Sequence, residues 1–188
     1  DLVMSASTIT EERQQTVNFS NPYFVAGQVI VVRKEDLGKI KTTADLAGKT
    51  LGVQLGTTGA DAAKKIADVK DVKEYEKAPD AFQALSNGTV DAVINDNVTA
   101  FGIILNSPSL NLAVVGQPFT EEFYGIAVRK ECTELLDAVN KGLAAVIADG
   151  TYAKIYAKYL GEEPREEFRA GGAGLSPTAA PTEGAGGT

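Results

Sequence analysis

The stretch Leu51–Lys65 constrains the fold of this 188-residue chain more than any other. It consists of a short apolar run (LGVQ), a Gly/Thr turn (LGTTG) and a segment typical of a helix start (ADAAKK). The N–H groups of a first helical turn, together with the positive end of the helix dipole, attract a carboxylate or a phosphate. The stretch therefore predicts an anion-binding turn. In an alternative interpretation, Gly56 and Gly59 only turn the chain and Thr58 only caps the helix.

The alternation of strands and helices continues from Thr43 to Val115. The predicted strands are Leu51–Gln54, Val72–Tyr75, Val90–Ile94 and Leu112–Val115, and the predicted helices include Thr43–Ala47, Pro79–Ser86 and Val98–Leu105. Such alternation with short links predicts an α/β fold with a mostly parallel sheet covered on both faces. This part of the chain therefore forms a complete lobe.

Further predicted elements lie on both sides of this pattern. They are strands at Leu2–Ser5, Gln28–Val32 and Phe123–Val128, and helices at Thr133–Ala148 and Tyr152–Leu160. Apolar residues recur in the last two helices at helical spacing, which predicts packing against a core. A complete lobe flanked by parts of a second lobe implies two crossings of the chain between them, and hence a hinged clamp.

Composition excludes several classes of function. The chain carries 18 Lys and Arg against 25 Asp and Glu, for a net charge of −7, and its basic residues form no cluster of the kind that nucleic-acid surfaces need. It contains no His and one Cys, which removes the usual ligands of zinc and the base of a serine–histidine hydrolase. We therefore predict no metal, no cofactor and no nucleic-acid partner, and we interpret Cys132 as an incidental thiol.

Polar residues follow three of the predicted strands. These spots are Ser5–Thr8 with Arg13, Gln54–Thr58, and Asn95–Asn97. Parallel α/β sheets bind ligands at the carboxyl ends of their strands. The set suits an amino-acid zwitterion, because Arg13 and the Thr57–Thr58 turn can bind a carboxylate and Asp96 can bind an ammonium group. The alternative interpretations are a solvated surface charge for Arg13 and a helix cap for Asp96.

Seven segments, taken in chain order, match one known family. They are DLVMSASTITEER from Asp1, VNFSNPY from Val17, DLAGK from Asp45, GVQLGTT from Gly52, VDAVIND from Val90, YGIAV from Tyr124 and DGTY from Asp149. Over about Asp1–Leu160 the chain resembles the polar amino-acid-binding proteins, the extracytoplasmic solute receptors of ABC importers (family 3). The resemblance implies an α/β fold of the periplasmic-binding-protein-like type II, with two lobes joined by a hinge.

The resemblance also implies roles for individual residues. Arg13 would clamp the α-carboxylate of the ligand with help from the backbone N–H of Thr58, and Asp96 would pair with the α-ammonium group. Backbone or hydroxyl contacts would come from Ser5, Ala6 and Thr8, while Gln54 would meet the ligand side chain. The full set of candidate site residues is Ser5, Ala6, Thr8, Arg13, Gln54, Thr57, Thr58 and Asp96.

The chain departs from the family pattern at its start. Family members carry a further strand–helix–strand–helix segment before the part that matches Asp1, and we expect that segment to be missing here. Lobe 1 would then be incomplete, formed by residues 1–26 and 119–162, with lobe 2 at 27–118 and a flexible tail or linker at 163–188. An incomplete lobe exposes strand edges, so we expect either a homodimer or association with a complementing lobe 1 fragment.

The predicted function is that of a non-enzymatic receptor that closes two lobes over a polar L-amino acid. Besides that ligand, its partners would be the membrane subunits of an ABC importer, and its location would be the periplasm or the extracellular face of the membrane. Two alternatives stay open. One is a truncated or engineered fragment that binds no ligand alone. The other is a periplasmic dehydratase of the same fold, which would need a positioned general acid, for which only Asp96 stands out.

Overall fold

A computed structural model of the chain describes residues 2–172, which divide into two compact units. The first unit contains residues 2–25 and 122–172, and the second is the continuous stretch Ala26–Glu121. The chain therefore passes into the second unit after Val25 and returns to the first at Glu122.

The predicted alternation of strands and helices is confirmed. The strands are β1 (Leu2–Thr8), β2 (Val17–Phe19), β3 (Phe24–Ala26), β4 (Gln28–Arg33), β5 (Thr50–Gln54), β6 (Asp71–Tyr75), β7 (Ala92–Asp96), β8 (Leu112–Val115) and β9 (Glu122–Arg129). The α-helices are α1 (Glu11–Thr16), α2 (Thr58–Lys65), α3 (Ala78–Ser86), α4 (Asn97–Asn106), α5 (Thr133–Ala148) and α6 (Thr151–Leu160). The predicted minor helix after Thr42 is a 3-10 turn, Thr43–Leu46.

The sheet of the second unit is mixed, with the strand order β6-β5-β7-β4-β8. β5 runs parallel to β6 and β7, whereas β4 runs antiparallel to β7 and β8. The prediction of a mostly parallel sheet is therefore wrong for the two pairs that involve β4. Parallel neighbours are joined by a crossover that returns the chain to the same end of the sheet, but β4 arrives directly from the first unit and needs no such crossover.

Both faces of this sheet are buried. Val29 of β4 belongs to the same apolar cluster as Phe82 of α3, while its neighbour Ile30 belongs to a second cluster with Ala63 of α2. All four residues are at most 3% exposed. Because successive side chains of a strand point to opposite faces, this alternation shows helices covering the sheet on each side, as predicted. Each fully buried side chain of the size of Phe82 contributes roughly 1.5–3 kcal/mol to stability.

The first unit is built around β9, which pairs with β1, β2 and β3. Its cluster of buried apolar residues consists of Ile9, Phe19 and Phe123. The register between β1 and β9 shifts between Val3 and Ser7, so that β1 contains a bulge. At the start of β1, Leu2–Met4 are 45–59% exposed. Apolar side chains left in solvent along a strand fit the expectation of an incomplete lobe.

The apolar stripes of α5 and α6 are not buried in a core, and that prediction is wrong. Neither helix contains a buried residue, and apolar side chains such as Leu136 and Val139 are half-buried. The sheet of this unit is small, since β2 and β3 are three residues long, and it offers too little surface to cover two helices. Ile155 and Tyr159 of α6 are 53% and 74% exposed.

The chain stays ordered beyond α6, in residues that the sequence assigns to a tail. Glu166–Phe168 form a 3-10 turn, and the Phe168 ring is 2% exposed, with its centroid 5.8 Å from that of Tyr152. The Tyr152 hydroxyl donates a hydrogen bond to the Tyr23 carbonyl oxygen at 2.6 Å. Burial of this side chain raises the pKa of Tyr152 above its usual value. The rest of the predicted tail, residues 173–188, lies outside the described residues.

Candidate functional site

The turn between β5 and α2 is built around Thr57, which is the N-cap of α2. The Thr57 hydroxyl oxygen accepts a hydrogen bond from the Ala60 N–H at 3.2 Å and donates one to the Gln54 carbonyl oxygen at 2.7 Å. The alternative interpretation of Thr58 as the cap is therefore wrong by one position, because Thr58 is the first helical residue. Its backbone lies where N–H groups point out of the helix start, which is the arrangement that binds an anion.

Asp96 ends β7 and stands at the N-cap position of α4, yet its side chain makes no capping hydrogen bond. Instead, one carboxylate oxygen accepts a hydrogen bond from the side-chain amide of Gln28 at 2.5 Å. The carboxylate is half-buried at the carboxyl end of a strand that runs parallel to β5. The interpretation of Asp96 as only a helix cap is therefore not supported.

Gln28 is a buried residue that the sequence analysis did not single out. Its side-chain amide contacts Asp96 and also lies 3.4 Å from the Thr58 hydroxyl oxygen. Thr58 and Asp96 follow different strands, and Gln28, at the start of the antiparallel β4, lies between them. A polar side chain next to the β-branched run VIVV was the signal available in the sequence. The second unit therefore brings together two of the predicted residues through a third.

The Gln54 side chain contacts a different part of the second unit. Its side-chain amide donates to the Glu76 carbonyl oxygen at 3.3 Å, beside the end of β6. The residue is half-buried, and the structure shows no hydrogen bond from it to Thr58 or Asp96. Its role toward a ligand side chain stays a prediction.

In the first unit, Arg13 lies in α1, whose N-cap is Thr10. One Arg13 guanidinium nitrogen donates to the Thr8 carbonyl oxygen at 3.0 Å, and the side chain is part-buried. The Thr8 hydroxyl in turn donates to a Glu122 carboxylate oxygen at 2.6 Å, with both residues buried. Arg13 is thus held in place by the fold rather than extended into solvent. Glu122, at the start of β9, is a second residue that the sequence analysis missed.

Ser5 and Ala6 lie in the bulge of β1 and are exposed. Ala6 has a φ of 55°, in the left-handed region that residues with a side chain adopt infrequently. Burial raises the pKa of the Tyr23 hydroxyl, and a hydrogen bond with the Ala6 backbone offsets part of that rise. The Ser5 and Ser7 hydroxyl oxygens lie 3.4 Å apart. Ser5 and Ala6 are therefore accessible from solvent, which is compatible with the predicted ligand contacts.

Two other kinds of site are not found in the described residues. Between residues 2 and 172, no three His, Cys, Asp or Glu residues are grouped so that they could hold a metal ion. Among the helices of the same range, none has the length and apolar character needed to cross a membrane. Cys132 is a half-buried free thiol at the N-cap position of α5.

Comparison with known proteins gives a family match over most of the chain. Residues 1–162 match the model of the bacterial extracellular solute-binding proteins, family 3. The glutamine-binding protein GlnH of an ABC transporter of Bacillus subtilis is 38% identical over 168 residues, which cover 88% of this chain and 60% of that protein. The chain therefore spans about three fifths of the length of this curated relative.

Solved structures agree with this match. The arginine-, lysine- and histidine-binding protein ArtJ of Geobacillus stearothermophilus is 41% identical, with a TM-score of 0.80, and the match covers 89% of this chain and 72% of that one. The ancestral amino acid-binding protein AncCDT-1, a precursor of cyclohexadienyl dehydratase, is 40% identical with a TM-score of 0.75, covering 85% and 68% of the two chains. These matches confirm the predicted α/β fold of periplasmic-binding-protein-like type II.

Proposed function

Because the chain belongs to the bacterial extracellular solute-binding proteins of family 3, we propose that it is the amino-acid-binding component of an ABC uptake system. Its ligand is a polar L-amino acid, which the protein binds through the two charged groups of the zwitterion. Arg13 binds the α-carboxylate together with the start of α2, and Asp96 binds the α-ammonium group. Closure is a shift of population toward the state in which both units contact the ligand.

One observation carries this proposal. The start of α2 and the Asp96 carboxylate stand at the carboxyl ends of two parallel strands, β5 and β7, and both contact the Gln28 side chain. A helix start attracts a carboxylate, whereas an aspartate attracts an ammonium group. One edge of a single sheet therefore offers a donor and an acceptor side by side, which matches the two charged groups of an amino acid.

The names of the relatives support a proposal for the partners and the location. The name of GlnH describes it as the glutamine-binding protein of an ABC transporter. We therefore propose ABC importer membrane subunits as the macromolecular partners, and the outer side of the cytoplasmic membrane as the location. The relatives compared above bind glutamine in one case, and arginine, lysine and histidine in another. These four amino acids are the ligands to test first.

The test is calorimetry of the full chain with L-glutamine, L-arginine, L-lysine and L-histidine, together with thermal unfolding. We expect at least one of them to bind and to raise the melting temperature, since a ligand at 100 times its Kd stabilises a protein by about 2.7 kcal/mol. The methyl ester of the same amino acid, which lacks the α-carboxylate, is the control and should bind far more weakly. Absence of binding by all four, and then by the remaining polar L-amino acids, would instead identify a fragment that binds no ligand alone.

The dehydratase alternative is tested with the same material. Incubation with arogenate or prephenate should release no phenylalanine and no phenylpyruvate, because the proposed site contains no group placed as a general acid besides Asp96. AncCDT-1 is an amino acid-binding protein and a precursor of a dehydratase, which makes a direct test of this alternative necessary. Turnover of either compound would overturn the assignment.

We further propose that the first unit pairs with a second copy of the chain through β1. Leu2, Val3 and Met4 are 45%, 54% and 59% exposed at one side of the β1-β9-β2 sheet. An exposed apolar edge strand favours pairing with a further strand. Light scattering is expected to show a mass above that of one 19.7 kDa chain. A strict monomer at micromolar concentration would contradict this part of the proposal, leaving a complementing lobe 1 fragment as the remaining partner.

A further inference from the structure

We propose that Gln28 is a positioning residue that holds the Asp96 carboxylate in a fixed relation to the start of α2 and to residues 118–120. Those residues belong to the segment through which the chain leaves the second unit. The inference rests on the proposed function, because it assigns Gln28 a role in preparing that site for a ligand. Three observations support it: two sets of hydrogen bonds and the packing around Gly59.

The first set is made by the Gln28 side chain. It is fully buried, and its amide nitrogen donates to an Asp96 carboxylate oxygen at 2.5 Å and lies 3.4 Å from the Thr58 hydroxyl oxygen. An ionised carboxylate only accepts hydrogen bonds, so the nitrogen end of the amide must face it. A glutamine amide offers two N–H donors, and here one is directed to each of two elements. Gln28 thereby fixes the distance between Asp96 and α2.

The second observation is the space that Gly59 leaves. A Cβ atom at Gly59 would stand 2.7 Å from the Gln28 side-chain oxygen and 3.4 Å from the Ile94 carbonyl oxygen. The first of these distances is too short for a real contact. The second glycine of the LGTTG turn, Gly59, is therefore explained by the Gln28 side chain that lies against it, rather than by a need for unusual backbone angles.

The third set is made by the Gln28 backbone. Its carbonyl oxygen accepts from the Phe119 N–H at 2.9 Å, and its N–H donates to the Thr120 hydroxyl oxygen at 2.8 Å. Gln28 is also two residues past the point where the chain enters the unit. One residue is thus bonded through its backbone to the returning segment and through its side chain to Asp96. A movement of residues 118–120 must therefore displace the carboxylate or break one of these bonds.

A role in packing alone does not explain this residue. The next four positions, Val29–Val32, are apolar and buried, and a leucine would fill a similar volume without the cost of burying an amide. Burying an amide nitrogen costs least where its hydrogen bonds are made, and the Gln28 nitrogen contacts both Asp96 and the Thr58 hydroxyl oxygen. The pattern of bonds at Gln28 is directed at the two groups that the proposed function uses.

The ligand test compares each of the four amino acids with its counterpart lacking the α-amino group: L-glutamine with glutaramic acid, L-arginine with 5-guanidinovaleric acid, L-lysine with 6-aminohexanoic acid, and L-histidine with 3-(imidazol-4-yl)propanoic acid. In Gln28→Leu, we expect the amino acid that the chain binds to lose about tenfold in affinity, and its counterpart to change by less than about twofold. Equal losses for both compounds would show a merely structural effect and overturn the proposal. Gln83→Leu, on the exposed surface of α3, is the matched control and should change neither.

A double-mutant cycle separates positioning from independent binding. Asp96→Asn with Gln28→Leu should bind no more weakly than Asp96→Asn alone, because Gln28 acts through that carboxylate. Additive losses would overturn the proposal. Gly59→Ala should reproduce the selective loss of Gln28→Leu, since its methyl group displaces the glutamine side chain.

A ligand-free measurement distinguishes failure of this inference from failure of the proposed function. In nuclear magnetic resonance spectra of the full ¹⁵N-labelled chain, the side-chain amide signals of Gln28 should shift in Asp96→Asn and in Thr120→Val. Unchanged signals in these variants overturn the positioning role whether or not the chain binds an amino acid. Shifted signals in a chain that binds none of the tested amino acids would support the role while the proposed function fails.

Discussion

Replacing Arg13 by alanine is expected to weaken binding of the preferred amino acid by about thirtyfold or more, equivalent to about 2 kcal/mol. The guanidinium is the cationic group that the proposed site offers to the α-carboxylate, and its planar fork can hold both carboxylate oxygens. Its side chain is already held by the Thr8 carbonyl oxygen at 3.0 Å, so little freedom is lost when a ligand binds. Calorimetry of the full chain measures the change.

Two further variants make this result specific. Arg13→Lys keeps the charge but loses the fork, and it should recover only part of the affinity. Arg129→Ala removes an exposed arginine of the same unit and should leave affinity within about twofold, as surface changes distant from a site do. If Arg13→Ala binds as tightly as the unmodified chain, another group binds the carboxylate and the assignment is wrong.

Replacing Gly27 by alanine is expected to lower the free energy of unfolding by about 3 kcal/mol, at the upper end of the cost of overpacking. A Cβ atom at this position would stand 2.1 Å from the Thr120 carbonyl oxygen and 2.7 Å from the Pro118 Cβ. Both neighbours are parts of a backbone or ring that cannot rotate away. The segment that enters the second unit and the segment that leaves it must therefore separate to accept one methyl group.

Gly102→Ala is the matched control for this substitution. Gly102 lies inside α4, and a Cβ there would have no atom within 4 Å. Alanine in a helix is favoured over glycine by roughly 0.5–1 kcal/mol, so this variant should be slightly more stable than the unmodified chain. Urea unfolding of the three proteins gives the comparison. Equal stability of Gly27→Ala and Gly102→Ala would show that the entering and leaving segments are not tightly packed.

Patterns that depend on neighbours in sequence predicted the local structure well. The helix predicted at Thr133–Ala148 has those same bounds in α5, because its apolar spacing and the Asp149-Gly150 stop are local signals. Thr10 caps α1, with its hydroxyl oxygen accepting from the Arg13 N–H at 3.2 Å, and a Thr followed by two Glu is a local signal of a helix start. The cap of α2 was misplaced by one residue, since two adjacent threonines offer the same chemistry.

The contacts that organise the candidate site could not be predicted in the same way. Gln28 meets Thr58 and Asp96 across 30 and 68 positions of sequence, and Thr8 meets Glu122 across 114. Such pairs are set by the order of strands in a sheet and by the reversed direction of β4. Neither the strand order nor the direction of β4 produces a periodic pattern in the sequence. The polar residues at strand ends and the resemblance to a family predicted roles for Arg13 and Asp96, but the residues that hold them in place emerged only from the structure.

The buried Phe168 ring has a practical consequence for anyone who shortens this protein. The family match ends at residue 162, which invites a cloning boundary there. A protein that ends there would keep every matched residue but would lose Phe168, whose ring packs against Tyr152. The Tyr152 hydroxyl is bonded to the Tyr23 carbonyl oxygen, two residues before the chain leaves the first unit. Recombinant versions should therefore extend at least through Arg169, whose side chain bonds to the Pro164 carbonyl oxygen and closes the turn.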